Sequence, residues 1–312
     1  MQIKIAVIFI CILLVSCNNL PDSKGDYNEL SIISSNEDRQ YVDLYISNIF
    51  NDSIYTPILK NSYNINHISP DDFIENKLNK NIIIISLAYP PDSTIDLLSD
   101  KFMQKYDKPI FSAYDMYSKN QLLLHIKSHD YDNLIRSTNE HIDWIKSEIN
   151  ENISRNILFD YNKEIKSKNI NKLINERFEI NLNIDDNYKI INENEQFLWI
   201  GRGYPYRWIV INKIKSKKFF IFENIKFLHE KYLTDVIIPK RYNSESDHGS
   251  YNIVRGLYEH IGSDTGGPFV TYVYEDIYKD YKLYISGFVN NPGKDKIILL
   301  KQLESLFQNI KE

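Results

Sequence analysis

The sequence predicts an α+β protein with two lobes, a mixed α/β lobe followed by an antiparallel sheet packed with helices. In the first half, strand and helix patterns alternate around one fully apolar segment, 81–87, which is typical of a central strand buried on both faces. In the second half, strand patterns predominate, and the chain ends in a helix with an apolar stripe. A chain of 312 residues is long for a single hydrophobic core and long enough to form two.

The first lobe is expected to cover residues 30–150. Apolar–polar alternation indicates its strands, and a hydroxyl cap followed by a first-turn proline at Ser69-Pro70 indicates a helix start. The predicted strands are 30–34, 63–68, 81–87, 110–117 and 121–127, the last two forming a hairpin, and the main helices are 92–104 and 130–150.

The second lobe is expected to cover residues 151–312, with helical pattern continuing to Arg177 across the boundary. Pro292-Gly293 introduces the final helix, whose apolar stripe should pack on one face of the sheet. The predicted strands are 178–182, 196–202, 208–213, 251–260, 269–275 and 282–289, the other helix is 223–233, and the final stripe is Ile297, Leu300, Leu303, Leu306 and Phe307.

The N-terminus has the pattern of an export signal. Lys4 precedes eleven uncharged residues, 5–15, a stretch too short to span a bilayer as a helix. Leu14-Val15-Ser16-Cys17 resembles the lipobox of bacterial lipoproteins, which implies cleavage after residue 16 and acylation of Cys17. An ordinary secretory signal with a chance cysteine is the alternative. Several acyl chains would anchor the protein stably to a lipid bilayer.

Residues 17–29 are polar and contain Pro21 and Gly25, so we expect a flexible tether between the membrane and the folded body. Cys11 leaves with the signal, and lipid would occupy the sulfur of Cys17, so neither a disulfide nor a cysteine-based metal site is expected. The formal charge of −5 and the absence of a basic block make nucleic acid an unexpected partner. No cofactor is expected.

A ligand-binding surface is predicted at Arg202, Tyr204, Tyr206 and Trp208. Aromatic rings beside a guanidinium are a plausible contact for a sugar or a peptide. The alternative is a hairpin whose aromatic side chains cover the sheet.

Gly262–Pro268 resembles the GDSGGP nucleophile motif of trypsin-like proteases, with Thr265 at the serine position. That chemistry needs a histidine held by a buried aspartate and an oxyanion hole, and no histidine here lies in the context that family uses. The interpretation as a Gly-Gly-Pro turn that enters a strand at Phe269 is therefore favoured.

Histidine pairs give no catalytic or metal site. His125 and His129 have helical metal-ligand spacing, but His125 lies on a predicted strand, so no metal is expected there. Four polar residues near the C-terminal hairpins would form a catalytic candidate only if the fold brought their side chains together. They are His248, Glu259, His260 and Asp264. Gly201-Arg202-Gly203 lacks the following helix of a phosphate-binding loop.

The C-terminal sequence resembles the domain of unknown function (DUF) family 4837, lipoproteins of Gram-negative bacteria with no assigned activity. The resemblance lies in four segments: FLWIGR at 197–202, RGLYE at 255–259, GGPFVTY at 266–272 and GFVNNPGKDK at 287–296. Tyr258 departs from the tryptophan more usual there. The second half is also faintly similar to PsbP-type domains.

These features together predict a non-enzymatic, membrane-tethered binding or assembly protein of the cell envelope, with a protein or a glycan as its partner. The resemblance to lipoproteins implies anchoring to the outer membrane, with the inner membrane as the alternative, and a folded body outside the cytoplasm. The alternative function is an envelope hydrolase with a site around Arg255 to Gly267.

Acylation of Cys17 is directly testable. We expect Cys17→Ala to leave an unacylated and largely unprocessed precursor, because the thiol is the lipid acceptor. Metabolic labelling with an alkyne fatty acid, followed by gel electrophoresis, measures both effects. Equal label on the wild type and the variant would refute lipidation.

Overall fold

The structure, a computed structural model, describes residues 20–310 except 90, 92, 216–220, 234, 264 and 276–280. The signal sequence and Cys17 therefore lie outside the described residues. The helices are α1 (Arg39–Ile49), α2 (Phe73–Asn76), α3 (Ser93–Tyr106), α4 (Tyr131–Asn139), α5 (Ile142–Tyr161), α6 (Lys168–Phe178), α7 (Ile221–Tyr232) and α8 (Ile297–Gln308).

Fifteen strands are present among the described residues. They are β1 (Glu29–Ile33), β2 (Ser53–Tyr55), β3 (Leu59–Asn61), β4 (Asn64–Ile68), β5 (Asn81–Leu87), β6 (Ile110–Tyr114), β7 (Leu122–Ser128), β8 (Lys189–Asn194), β9 (Phe197–Arg202), β10 (Tyr206–Lys215), β11 (Val236–Ile237), β12 (Ser244–Asp247), β13 (Tyr251–His260), β14 (Thr265–Tyr274) and β15 (Tyr281–Asn290). The predicted α+β class with two lobes is confirmed.

The chain forms two compact units whose boundaries differ from the predicted lobes. Among the described residues, the first unit contains the chain from Leu20 to Val42 and Ile65–Glu140, and the second contains Asp43–Asn64 and the chain from His141 to Ile310. The predicted division after residue 150 falls inside α5, a continuous helix of twenty residues. The predicted helix 130–150 is instead interrupted between α4 and α5.

The first unit contains a five-stranded sheet in the order β4-β1-β5-β7-β6. Its central strand β5 pairs in parallel with β1 and β7, and all seven of its residues are buried. This is the arrangement that a continuous apolar run predicts. β6 pairs antiparallel with β7, as the predicted hairpin requires.

Residues Pro21–Lys24, here called the N-terminal strap, lie against the first unit rather than extending away from it. The amide of Lys119 donates to the carbonyl of Pro21 (2.8 Å), and the amide of Lys24 donates to that of Leu78 (2.8 Å). The Lys80 amide then donates to the carbonyl of Lys24 (2.9 Å). The segment interpreted from its composition as a tether is thus hydrogen bonded over its described part.

The second unit is built around an eight-stranded antiparallel sheet. Seven strands follow the order β11-β13-β14-β15-β10-β9-β8, and β12 also pairs with β13. Both faces of this sheet are apolar. Ile209 lies in a core shared with α6 and α8, whereas its neighbour Val210 lies in a core shared with α7. This follows from strand geometry, since successive side chains point to opposite faces.

Gly266-Gly267-Pro268 is not a turn before a strand. These residues lie inside β14, where Gly267 pairs with Tyr258 and Pro268 with Leu257. Neither glycine has a positive φ. The requirement at Gly267 is instead close approach of backbones: a Cβ there would lie 2.0 Å from the carbonyl oxygen of Val289 on β15.

We therefore expect Gly267→Ala to lower the free energy of unfolding by about 1–3 kcal/mol, because β14 and β15 must separate to admit the methyl group. Gly203→Ala is the matched control, because no atom lies within 4 Å of its added Cβ. Urea denaturation of both variants measures the difference. Equal stability of the two variants would contradict this account of Gly267.

Candidate functional site

The predicted ligand-binding residues lie on two faces of the second sheet. Arg202 pairs across the ladder with Arg207, on the face of the α6 and α8 core. Trp208 pairs with Gly201 and packs against the α7 core on the opposite face. The structure therefore does not bring Arg202 and Trp208 together.

Arg202 belongs to an ion-pair cluster. Its guanidinium lies 2.9 Å from the carboxylate of Asp185, which is fully buried, and 3.4 Å from that of Glu164. The same guanidinium lies 5.8 Å from the ring centre of Tyr188. A buried carboxylate requires a charged partner, so these contacts give Arg202 a structural role.

Tyr204 and Tyr206 remain as an exposed aromatic pair. Their side chains are 55% and 45% exposed, and their rings meet edge to face at 6.1 Å. The ammonium of Lys294 lies 5.2 Å from the ring centre of Tyr204. Trp208 instead packs against Tyr258 at 5.6 Å. The exposed part of the predicted surface is thus two tyrosines and a lysine.

The two histidines with the spacing of metal ligands, His125 and His129, lie in different environments. His125 is fully buried on β7, and its Nε2 lies 2.8 Å from the hydroxyl of Ser99. Burial lowers the pKa of His125 to about 4. His129 is exposed and contacts Asp130. Over the part of the chain that the structure describes, no three potential ligands cluster to hold a metal ion.

The region around 255–267 contains one short chain of polar contacts. The hydroxyl of Ser263 lies 3.0 Å from Nδ1 of His260 and 2.7 Å from the hydroxyl of Thr265, and all three residues are at the surface. His260 and Thr265 also line a cavity of about 410 Å³. Asp264 lies outside the described residues.

A much larger concave surface lies elsewhere in the second unit. This central groove has a volume of about 2020 Å³ and is open to solvent. Its walls are α5, α8, the β12–β13 strands and the segment of the β2–β3 hairpin. The lining is rich in amides and hydroxyls, and it includes Ser53, Tyr63, Asn150, Ser154, Arg155, Asn183, Ser246, Tyr251, Arg255, Lys301, Glu304 and Asn309.

An ion pair between β13 and α8 forms one part of the groove wall. Nε of Arg255 lies 2.6 Å from Oε1 of Glu304, and the side chains are 28% and 12% exposed. Burial lowers the pKa of Arg255, but the charge and hydrogen bond of Glu304 outweigh it, so the pKa is raised above its ordinary value. The guanidinium therefore stays charged.

Tyr63 and Lys301 lie beside this pair. The phenol of Tyr63 donates to Oδ1 of Asn150 on α5 (2.9 Å), and the Lys301 ammonium lies 5.3 Å from its ring centre. Burial, together with the charge of Asp52, raises the pKa of Tyr63 to about 12, so the phenol remains a donor. Burial lowers the pKa of Lys301, while the charge of Glu304 acts in the opposite direction.

Sequence reasoning missed most residues of this groove, and it named His248 and Arg255 only as parts of other candidate sites. Glu304 carried a usable signal, because it lies four residues after Leu300 and one after Leu303, on the apolar stripe of α8. A charge on an apolar helix face calls for a partner. Tyr63 and Asn150 carried no comparable signal, since they are far apart in sequence and meet only in the fold.

Residues 228–309 match the family model described as "Domain of unknown function (DUF4837)". The predicted resemblance to that family is therefore confirmed over this segment, which includes Arg255, Lys301 and Glu304. No curated protein matches the chain. Within the described residues, no helix combines the length and the apolar character needed to cross a membrane.

One similar solved structure is that of a protein from Bacteroides thetaiotaomicron VPI-5482. It is 9% identical, with a TM-score of 0.27, and the match covers 42% of this chain and 43% of that chain. The chain thus spans less than half the length of this structural relative. At this TM-score the likeness carries no information about function.

The Arg255–Glu304 pair should contribute to stability. We expect Glu304→Gln to lower the free energy of unfolding by about 1–3 kcal/mol, because a largely buried guanidinium loses its charged partner. Glu176→Gln is the matched control: its ion pair with Lys172 spans 3.6 Å between side chains that are 62% and 74% exposed.

The control should change stability by no more than about 0.5 kcal/mol, since exposed pairs contribute little. Urea denaturation at low salt measures both. A control as destabilised as Glu304→Gln would show that the burial of the pair is not what matters.

Proposed function

We propose that this protein is a lipid-anchored, non-enzymatic binding protein of the cell envelope, and that its central groove binds an extended polar chain of the glycan class. The observation that carries the proposal is the groove itself, with its volume of about 2020 Å³. Pockets for small ligands usually measure about 300–1,000 Å³, so the space suits an oligomer better than a single small molecule.

The lining of the groove favours a glycan over an apolar peptide. Ser154 and Asn309 add a hydroxyl and an amide, groups that can donate to and accept from sugar hydroxyls. Phe159 also lines the groove and is 46% exposed, which provides a face for a sugar ring. The charged pair Arg255–Glu304 supplies a donor and an acceptor at one wall.

The envelope location rests on the N-terminus. The lipobox-like Leu14-Val15-Ser16-Cys17 supports acylation of Cys17 and retention at a membrane, which we take to be the outer membrane. The family match over 228–309 supports the resemblance on which this location depends. A groove on a membrane-tethered body would meet ligands outside the cytoplasm.

An envelope hydrolase remains the second candidate, and the contact of Ser263 with His260 favours it. A hydroxyl at 3.0 Å from an imidazole is the first half of a nucleophile–base arrangement. The contact joins residues three apart in an exposed turn, and no described carboxylate hydrogen bonds to His260. Labelling of the wild type, but not of Ser263→Ala, by an acylating probe would favour the hydrolase.

Blocking the groove should abolish glycan binding. Ser154→Tyr on α5 introduces a large side chain into the groove, whereas Ser137→Tyr places the same side chain at an exposed position of α4 in the first unit. We expect calorimetric titration with a panel of envelope oligosaccharides to detect binding by the wild type and by Ser137→Tyr only.

Thermal unfolding of both variants checks that each is folded. Equal binding by the two variants would place the binding surface elsewhere, and Tyr204 and Tyr206 would then be the next surface to test. Failure of every oligosaccharide to bind the wild type would refute the glycan proposal.

A further inference from the structure

We propose that one edge of the first unit, the edge crossed by the N-terminal strap, lies against the headgroups of the bilayer that holds the lipid anchor. This inference rests on the proposed acylation of Cys17. It adds an orientation: the first unit does not swing on a flexible tether but presents a fixed surface to the lipid. The surface consists of the strap, residues 77–80 and Lys119.

The strap crosses the N-terminal ends of two parallel strands. The backbone of Asp22 forms an isolated parallel β-bridge with that of Lys119, shortly before β7. The backbone of Lys24 forms a second parallel β-bridge with that of Asn79, shortly before β5. The chain then enters β1, which is parallel to β5. Because parallel strands begin at the same edge of a sheet, the strap, the start of β5 and the start of β7 share one edge.

Side-chain hydrogen bonds from Gln121 and Lys80 hold this edge together. The side-chain amide of Gln121 donates to the carbonyls of Lys77 and Asn79, both at 2.8 Å. The ammonium of Lys80 donates to the carbonyl of Gly25 at 2.9 Å. With the backbone bonds of the strap, these contacts fix the path of the chain from Pro21 onward.

The reach of the anchor is therefore short. Three residues lie between Cys17 and Pro21, which makes four residue-to-residue steps. Fully extended chain covers at most about 3.6 Å per step, so Pro21 lies within roughly 14 Å of the acylated residue. The acyl chains of that residue lie in the hydrocarbon core, and the headgroup layer on each side of this core is about 5–8 Å thick. The strap edge cannot stand far from this layer.

The exposed side chains of the edge are compatible with headgroup contact. The strap and Lys119 expose two cations, Lys24 and Lys119, which can reach phosphate oxygens, and one acid, Asp22. Ile74 of α2, which precedes residues 77–80, is 66% exposed. The opposite edge lies beyond the seven residues of β5, which span about 20 Å at 3.3 Å per residue. Tyr89 follows β5 at that far edge and is also 66% exposed.

This pair of equally exposed positions provides the test. In the processed, lipidated chain the Cys17 sulfur is occupied, so a thiol-reactive fluorophore would label only an introduced cysteine. Ile74→Cys and Tyr89→Cys carry the label near the strap edge and at the far edge. Each lipidated variant is incorporated into phospholipid vesicles that contain a headgroup-attached quencher.

We expect quenching of the Ile74→Cys label to be several-fold stronger than quenching of the Tyr89→Cys label. Equal quenching at both positions, or stronger quenching at Tyr89→Cys, in protein that floats with the vesicles would overturn the orientation while leaving the anchor intact. Protein that carries no lipid label and does not float would refute the anchor itself, and the orientation with it.

Discussion

Burial of both faces of the eight-stranded sheet is the constraint on which the second unit depends. Consecutive residues such as Ile209 and Val210 enter different cores, so the sheet needs helices on each side. At about 25 cal/mol per Å² of apolar surface, leaving either face open would be strongly unfavourable. α8 and α6 cover one face and α7 covers the other.

The central groove arises where this covering is incomplete. α8 packs on the sheet through its apolar stripe, and α5 contacts α8, but polar side chains line the space beside them. Glu304 lies on the side of α8 that packs on the sheet. A carboxylate in that position needs a charged partner, and Arg255 of β13 provides it. The same ion pair therefore stabilises the contact between α8 and the sheet and forms part of the groove wall.

Strong local patterns were enough to predict the main strands and the C-terminal helix. The features that the sequence did not predict depend on contacts between residues distant in sequence. The segment 81–87 and the stripe of α8 were predictable because burial dictates every residue in them. Gly266-Gly267-Pro268 was misinterpreted, because glycine and proline are turn signals in isolation while the close contact with Val289 is visible only in the sheet.

The separation of Arg202 from Trp208 depends on the register of β9 against β10, in which Arg202 pairs with Arg207 rather than with Trp208. The groove was likewise outside the reach of sequence patterns. It combines the β2–β3 hairpin, α5 and α8, elements that no sequence pattern connects. The break between α4 and α5 likewise contains neither proline nor glycine, so composition gave no reason to expect it.

The strap also has a consequence for the order of events during synthesis. It is made before its partners, since Leu78, Lys80 and Lys119 all follow it along the chain. Contacts between segments so far apart in sequence form late, after the intervening chain has closed its loops. The strap is therefore undocked while the rest of the first unit is being made. Under the proposed acylation of Cys17, a peptidase would meet an unhindered chain before the strap docks, and a mutation that speeds docking would shorten that interval.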